Sequence, residues 1–206
     1  MTCHFTRSAL ALTLVLALAG CGGKADFPVS GTVLGLSYDG LVLTTNGMDL
    51  PVAKGNTTFS FPKALSYGEA YAVTVPASGQ PQHQTCVVAN GSDTAGRLAS
   101  INVSVICALN QHAVGGIIRE QAPDGTFRAL TSDGLTLTNG SNSGVITAKT
   151  GTTSFTFGVL VPYGVSYGVT VLSQPAGATC TVAPNGTGIM GDNAIADIDV
   201  KCIASM

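Results

Sequence analysis

The chain contains one module written twice, and that duplication limits the folds open to it. Residues 59–107 read Phe-x-Phe, a Tyr-Gly turn, a second Tyr before x-Val-Thr-Val, a Thr-Cys pair, an Asn-Gly turn and an alternating run closing on Cys. Residues 155–202 repeat the series. Phe59 and Phe61 match Phe155 and Phe157, Tyr67 and Tyr71 match Tyr163 and Tyr167, and Val73-Thr74-Val75 matches Val169-Thr170-Val171. Thr85-Cys86, Asn90-Gly91 and Cys107 match Thr179-Cys180, Asn185-Gly186 and Cys202. A repeated unit of this kind implies two small units in tandem, each with its own core.

Within each copy the hydrophobic period is two, the signature of half-buried strands. Val29–Val33, Leu41–Thr44, Thr57–Phe61, Tyr71–Val75, Gln84–Val88 and Ile101–Cys107 read as strands, with a weaker one at Met48–Val52. Asp39-Gly40 and Asn46-Gly47 punctuate them as turns that want positive φ. The expected class is all-β: two Ig-like or prealbumin-like β-sandwiches of about seven strands each. Their expected extents are 27–107 and 114–206, with residues 108–113 as a linker. The 26 glycines and the absence of Trp suit a turn-rich β protein. Charged residues make up 10% of the chain and the formal charge is −2. Nucleic acid is excluded as a partner, because phosphate neutralisation needs a dense basic stripe.

Residues 1–20 form an export signal rather than part of the fold. Arg7 supplies the positive start, Ser8–Ala17 a short apolar run, and Leu18-Ala19-Gly20-Cys21 the small residues before a cysteine. This ending resembles the lipobox of bacterial lipoproteins. The resemblance implies cleavage before Cys21, which becomes the first mature residue and carries the lipid. Gly22 follows where an Asp would imply retention, so release to the outer membrane of a diderm envelope is expected. Residues 21–26 then act as a tether reaching at most about 17 Å. The membrane is thus an expected partner through the lipid anchor.

The chain has six cysteines. Cys3 leaves with the signal and Cys21 carries lipid, which leaves four with three possible pairings. The repeat selects Cys86–Cys107 and Cys180–Cys202. Alternation supports this: Cys107 shares a face with Ile101, Val103 and Val105, and Cys202 with Ile198 and Val200. Cys86 and Cys180 share faces with Val88 and Val182. Loops of about twenty residues, once closed, stabilise a small domain by roughly 3 kcal/mol in the chain-entropy model. A zinc site is the competing use of four cysteines, but no His accompanies either pair at ligand spacing.

The second copy departs from the first near its start. Eight positions separate Gly31 from Asp39, whereas seventeen separate Gly116 from Asp133. The extra residues form a loop from Arg119 to Ala129 that carries Arg119, Glu120, Asp124 and Arg128. In a chain so poor in charge this is the candidate recognition loop; the alternative is a longer solvated hairpin.

The order Gly-x-Val, Leu-x-Leu, Phe-x-Phe and Gly-x-x-Tyr-x-Val-Thr-Val resembles prealbumin-like modules, among them the carboxypeptidase-regulatory-like and Cna B-type sandwiches. Many Cna B-type modules hold an internal Lys–Asn isopeptide bond. The first strands here contain no Lys, so that bond is not expected, and the disulfides take the stapling role. The resemblance speaks for fold rather than function.

Catalytic patterns are thin. Gly164-Val165-Ser166-Tyr167-Gly168 fits a nucleophile elbow, but a turn enters a strand there, the first copy has Ala70 in place of Ser166, and no His follows. His83 and His112 are expected to be exposed and unpaired. Asp197 and Asp199 share a strand face but fall short of the oxygens Ca²⁺ needs. No cofactor or metal is expected. The expected function is a non-enzymatic cell-envelope lipoprotein, a spacer or surface binding and adhesion module with an envelope protein or glycan partner. The alternative is an accessory carbohydrate-active or hydrolase-like protein using the 119–129 loop, with carboxylates such as Glu120 and Asp133.

Overall fold

Apolar alternation becomes strand at nearly every position where the periodicity marks it. In the computed structural model, which describes residues 25–140 and 144–205, the first module runs through β1 (Asp26–Phe27), β2 (Val29–Leu34), β3 (Leu41–Thr45), β4 (Met48–Val52), β5 (Thr58–Ser60), β6 (Leu65–Ser66), β7 (Ala70–Ala72), β8 (Gln84–Ala89), β9 (Ser92–Thr94) and β10 (Ile101–Leu109). After β11 (Gln111–His112) the second follows as β12 (Val114–Gln121), β13 (Phe127–Arg128), β14 (Leu135–Asn139), β15 (Val145–Ala148), β16 (Ser154–Thr156), β17 (Val161–Pro162), β18 (Ser166–Ser173), β19 (Ala178–Val182), β20 (Thr187–Ile189) and β21 (Ile195–Ala204). The export signal and Cys21 lie outside the described residues.

Each module is a β-sandwich. One layer of module 1 is ordered β5-β2-β10-β8, and the matching layer of module 2 is β13-β12-β21-β19, with β16 also on β12. The first and last long strands of each module pair in parallel, β2 with β10 and β12 with β21. The facing layer of module 2 is a continuous sheet, β15-β14-β18-β20, whereas in module 1 it is the ribbons β3-β4 and β7-β9. The ribbons meet through a bridge between Thr44 and Thr74. Two separate cores fill the sandwiches, one from Val29 to Cys107 and one from Val114 to Cys202. Phe59 and Phe61 meet edge to face in the first, Phe155 and Phe157 in the second, a favoured aromatic geometry.

Local chemistry explains the repeated landmarks. Asn46 and Gly47 both take positive φ, as a two-residue hairpin turn between β3 and β4 requires. Gly31 and Gly116 are present for a different reason, namely close approach. A Cβ at Gly31 would run into the carbonyl oxygen of Val103, and one at Gly116 into that of Ile198. Cys86 sits directly opposite Cys107 on β8 and β10, and Cys180 opposite Cys202 on β19 and β21. Both pairs are disulfide-bonded, and all four cysteines are buried.

The segment 108–113 is not a free linker. Ala108 and Leu109 extend β10, and Gln111 and His112 pair with Pro162 and Val161 of module 2. The Tyr163 amide donates to the Asn110 carbonyl at 2.8 Å. Across this joint the His83 ring stacks on Tyr163 at 3.8 Å between centroids and 7° between planes. Tyr38 packs edge-on against both rings, and His83 Nδ1 lies 2.7 Å from the Asp192 carboxylate. His83 is therefore neither exposed nor unpaired, contrary to the sequence expectation. Docking of the second module covers much of it and leaves it half-buried, and no pattern within one module announces that. His112 is half-buried, with its Nε2 shielded and lacking a hydrogen-bond partner.

The joint runs end to end. It collects the residues that follow β2 (Tyr38), precede β8 (His83) and follow β10 (Asn110). On the other side it takes the residues that follow β17 (Tyr163) and precede β21 (Asp192). Among the described residues, Asp26 thus lies at one pole. The turn after β12 and the carboxyl end after β21 lie at the other.

Candidate functional site

The charged residues singled out in the sequence gather at that distal pole, but not as a loop. Arg119 and Glu120 lie on β12, and Phe127-Arg128 returns as β13, with Gln121 opposite Phe127 and Glu120 opposite Arg128. The insertion is a hairpin that lengthens the sheet, so the recognition-loop expectation is corrected in form. Two strands satisfy each other's backbone groups, which an open loop of that length would leave to water. Asp124 shapes the turn by accepting from the Thr126 amide at 3.0 Å and its hydroxyl at 2.7 Å. Those two donors hold its carboxyl below the ordinary range.

Alternation sends neighbouring charges to opposite faces. Glu120 points inward and is 1% exposed. Its carboxylate accepts from Arg128 Nη2 at 2.8 Å, and from the Thr131 amide and hydroxyl, each at 2.8 Å. Burial pushes this group up, but the Arg128 and Thr131 donors outweigh it and leave the carboxyl below its ordinary value. Arg119 points outward and makes a bidentate pair with Asp199 on β21. Its hydrogen bonds with Asp199 raise the guanidinium pKa further. The guanidinium carbon also sits 4.4 Å from the Phe127 ring centre, and Lys201 Nζ 5.5 Å from it, both within cation–π range. Phe127 stays 48% exposed.

The four residues proposed for recognition therefore divide. Arg119 belongs to an outer face with Phe127, Asp199 and Lys201. Glu120, buried, pairs with the exposed Arg128, and Asp124 caps a turn. Asp199 is committed to Arg119, and the described residues contain no cluster of three metal-ligating side chains. Phe127 and Lys201 were not singled out from sequence. Lys201 was recognisable there as a water-facing position of the last strand, but the hairpin that brings Phe127 across to it was not.

Among the described residues, the two carboxylates considered for glycoside chemistry are each engaged within the fold. That chemistry needs one carboxyl kept protonated by a raised pKa. Glu120 is shifted down, and so is Asp133, which accepts from the Thr150 amide and hydroxyl at 2.7 and 2.9 Å. Ser166 begins β18 opposite Ile189 and is exposed, and no α-helix follows it as an elbow requires.

The surface depressions of the described residues include three of note. One of about 450 Å³ lies between β18 and β19, lined by Val169, Val171, Cys180 and Val182 among others. One of about 300 Å³ lies at the distal hairpin, between Pro123 and Ile203. The third, about 230 Å³, lies beside β4 and β5. None of the three is lined by a titratable side chain.

The fold defines the class as a tandem β-sandwich protein. No family model matches the chain, and no curated protein matches it in sequence. Among solved structures it is similar to the Bacillus anthracis TIE protein, at 14% identity and a TM-score of 0.46 over 87% of this chain and 34% of that one. The chain thus spans about a third of that protein. It is also similar to the major pilin T-13 of Streptococcus pyogenes (13% identity, TM-score 0.31, 88% of this chain and 97% of that one). A third likeness is to the shaft pilin of Lactobacillus rhamnosus GG (11%, 0.33, 88% and 99%). Likenesses at this level assign neither an activity nor a partner. No helix among the described residues is long and apolar enough to cross a membrane.

Proposed function

We propose that the chain is a non-enzymatic lipoprotein of the bacterial cell envelope, held at the outer membrane through Cys21, whose two sandwiches carry a binding face away from the anchor. The observation that carries this reading is the end-to-end joint. Strand pairing, the His83–Tyr163 stack and the His83–Asp192 contact tie the modules in line, with Asp26 at one pole and the β12–β13 hairpin at the other. At about 3.3 Å per residue, β10 and β21 laid in series span roughly 60 Å. The commitment of Glu120 to Arg128 and Thr131, and of Asp133 to Thr150, favours a binding role over the carbohydrate-active alternative.

The anchor is tested by Cys21→Ser in a diderm bacterial host fed a radiolabelled fatty acid. The expected outcome is loss of label and loss of sedimentation with membranes. Continued labelling of the variant overturns the lipoprotein reading.

A further inference from the structure

We propose that the outer face of module 2 at the distal pole docks an acidic peptide segment, with a carboxylate against Lys201 and a neighbouring aliphatic side chain in the cleft between Pro123 and Ile203. This rests on the reading of the chain as a binding module and names its partner class.

The first argument is a comparison within the molecule. On the outer face of module 1, Leu34, Ile106 and Val87 stand side by side across β2, β10 and β8. The same three places on module 2 hold Arg119, Lys201 and Thr181, again in register across β12, β21 and β19. The hairpin that carries Pro123 and Phe127 is also present only in module 2. The insertion and these exchanges of apolar for polar residues fall together on one face.

Charge complementarity supplies the second argument. Arg119 is neutralised by Asp199 and Arg128 by Glu120. Lys201 has no carboxylate partner among the described residues and lies half-buried beside Phe127. A carboxylate arriving there would meet a cation already partly stripped of water, where an ion pair is worth more than on an open surface.

The cleft decides what accompanies the carboxylate. Its walls are Ala122, Pro123, Gly125, Ile203 and Ala204, with Gln121 the one polar side chain. Ile203 is 54% exposed at its edge, and half-exposed Phe127 stands on the far side of Gln121 from it in the sheet. Its volume of about 300 Å³ is at the small end of ligand pockets, room for one or two side chains. A sugar ring would need hydrogen-bond partners around its rim that these walls do not provide. A membrane surface would need several free cations. An acidic and aliphatic peptide matches both halves of the face.

The test uses fluorescein-labelled hexapeptides of alternating Asp and Leu, titrated with the purified chain and read by anisotropy. Controls are Lys/Leu and Asp/Ser peptides of equal length. The Asp/Leu peptide is expected to bind at least about tenfold more tightly than either control, the ratio that 1.4 kcal/mol confers, and to weaken as salt rises. Lys201→Glu and Ile203→Asp should each reduce binding by about tenfold or more, Lys201→Gln by less, and Leu34→Asp on module 1 should leave it unchanged. Equal binding of a control peptide, indifference to Lys201→Glu, or no saturation at millimolar protein overturns the proposal. Displacement of the peptide by an acidic uronate oligosaccharide at lower concentration than by unlabelled peptide also overturns it, assigning the face to a glycan. X-ray scattering of the same samples reports the two-module rod separately. An intact rod without peptide binding therefore defeats this proposal alone.

Discussion

The side-chain amide of Gln174 closes a ring of two hydrogen bonds on the backbone of Cys180. Its Oε1 accepts from the Cys180 amide at 2.7 Å and its Nε2 donates to the Cys180 carbonyl at 3.0 Å. Gln80 does the same for Cys86, at 2.8 and 3.0 Å. β8 and β19 are edge strands, and an edge leaves one row of backbone groups unpaired. In each module a single glutamine takes the place of a neighbouring strand at the buried cysteine. Gln174→Ala should therefore cost module 2 about 1–2 kcal/mol. Hydrogen exchange at the Cys180 amide should accelerate while that at Cys86 does not. Unchanged exchange at Cys180 would show the clamp to be without weight.

The disulfides should act module by module. Cys180→Ala with Cys202→Ala is expected to weaken the second sandwich by roughly 2–4 kcal/mol, a large share of the stability of so small a domain. The first should unfold as before. Non-reducing peptide mapping followed by denaturant unfolding, read separately for each module by hydrogen exchange, checks this. Bridges between modules in the exported protein would contradict it.

The joint can be opened without disturbing either core. His83 has a φ of 59°, which glycine adopts at less cost, so His83→Gly removes the stack while easing the backbone. X-ray scattering should show a maximum dimension of at least about 60 Å for the parent. The variant should give a broader and, on average, shorter distribution of interatomic distances. Identical curves would mean that β11–β17 pairing alone holds the angle.

Glu120 predicts a specific loss of stability in acid. Its carboxyl titrates lower in the folded protein than its ordinary value of 4.5. Its contribution is thus complete above that value and declines as pH falls below it through the depressed folded value. Glu120→Gln should lower the stability of module 2 at neutral pH by about 1–3 kcal/mol, and should flatten its pH dependence below about 4.5. Urea unfolding between pH 3 and 7, compared for parent and variant, reads both effects.

The strands and the inward cysteines were legible because alternation is local: Ile101 to Cys107 shows its buried face without reference to anything else. The same parity could have placed Glu120 inward, since it falls in step with Gly116 and Ile118. Reading the insertion as a loop from Arg119 onward hid it. The glutamine clamps had a visible trace too, a Gln-Pro dipeptide six residues before the first cysteine of each pair. The joint had none. His83 and Asp192 are 109 residues apart, and their contact exists only once two finished sandwiches have docked. The outer face at Phe127 is intermediate in this respect, because its charges were evident but the aromatic ring that organises them arrives across a hairpin turn.

Parallel pairing of the first and last strands has a mechanical consequence. If the amino end is held and a partner pulls at the distal pole, β2 and β10 are drawn in opposite directions along their length, and so are β12 and β21. Their hydrogen bonds are then loaded together in shear, so they share the force and do not open one after another from an end. The Cys86–Cys107 and Cys180–Cys202 bonds lock each terminal strand to its other neighbour, so a strand that slipped would have to drag the edge of the sheet with it. The molecule should bear tension along its axis far better than a pull directed across its sheets.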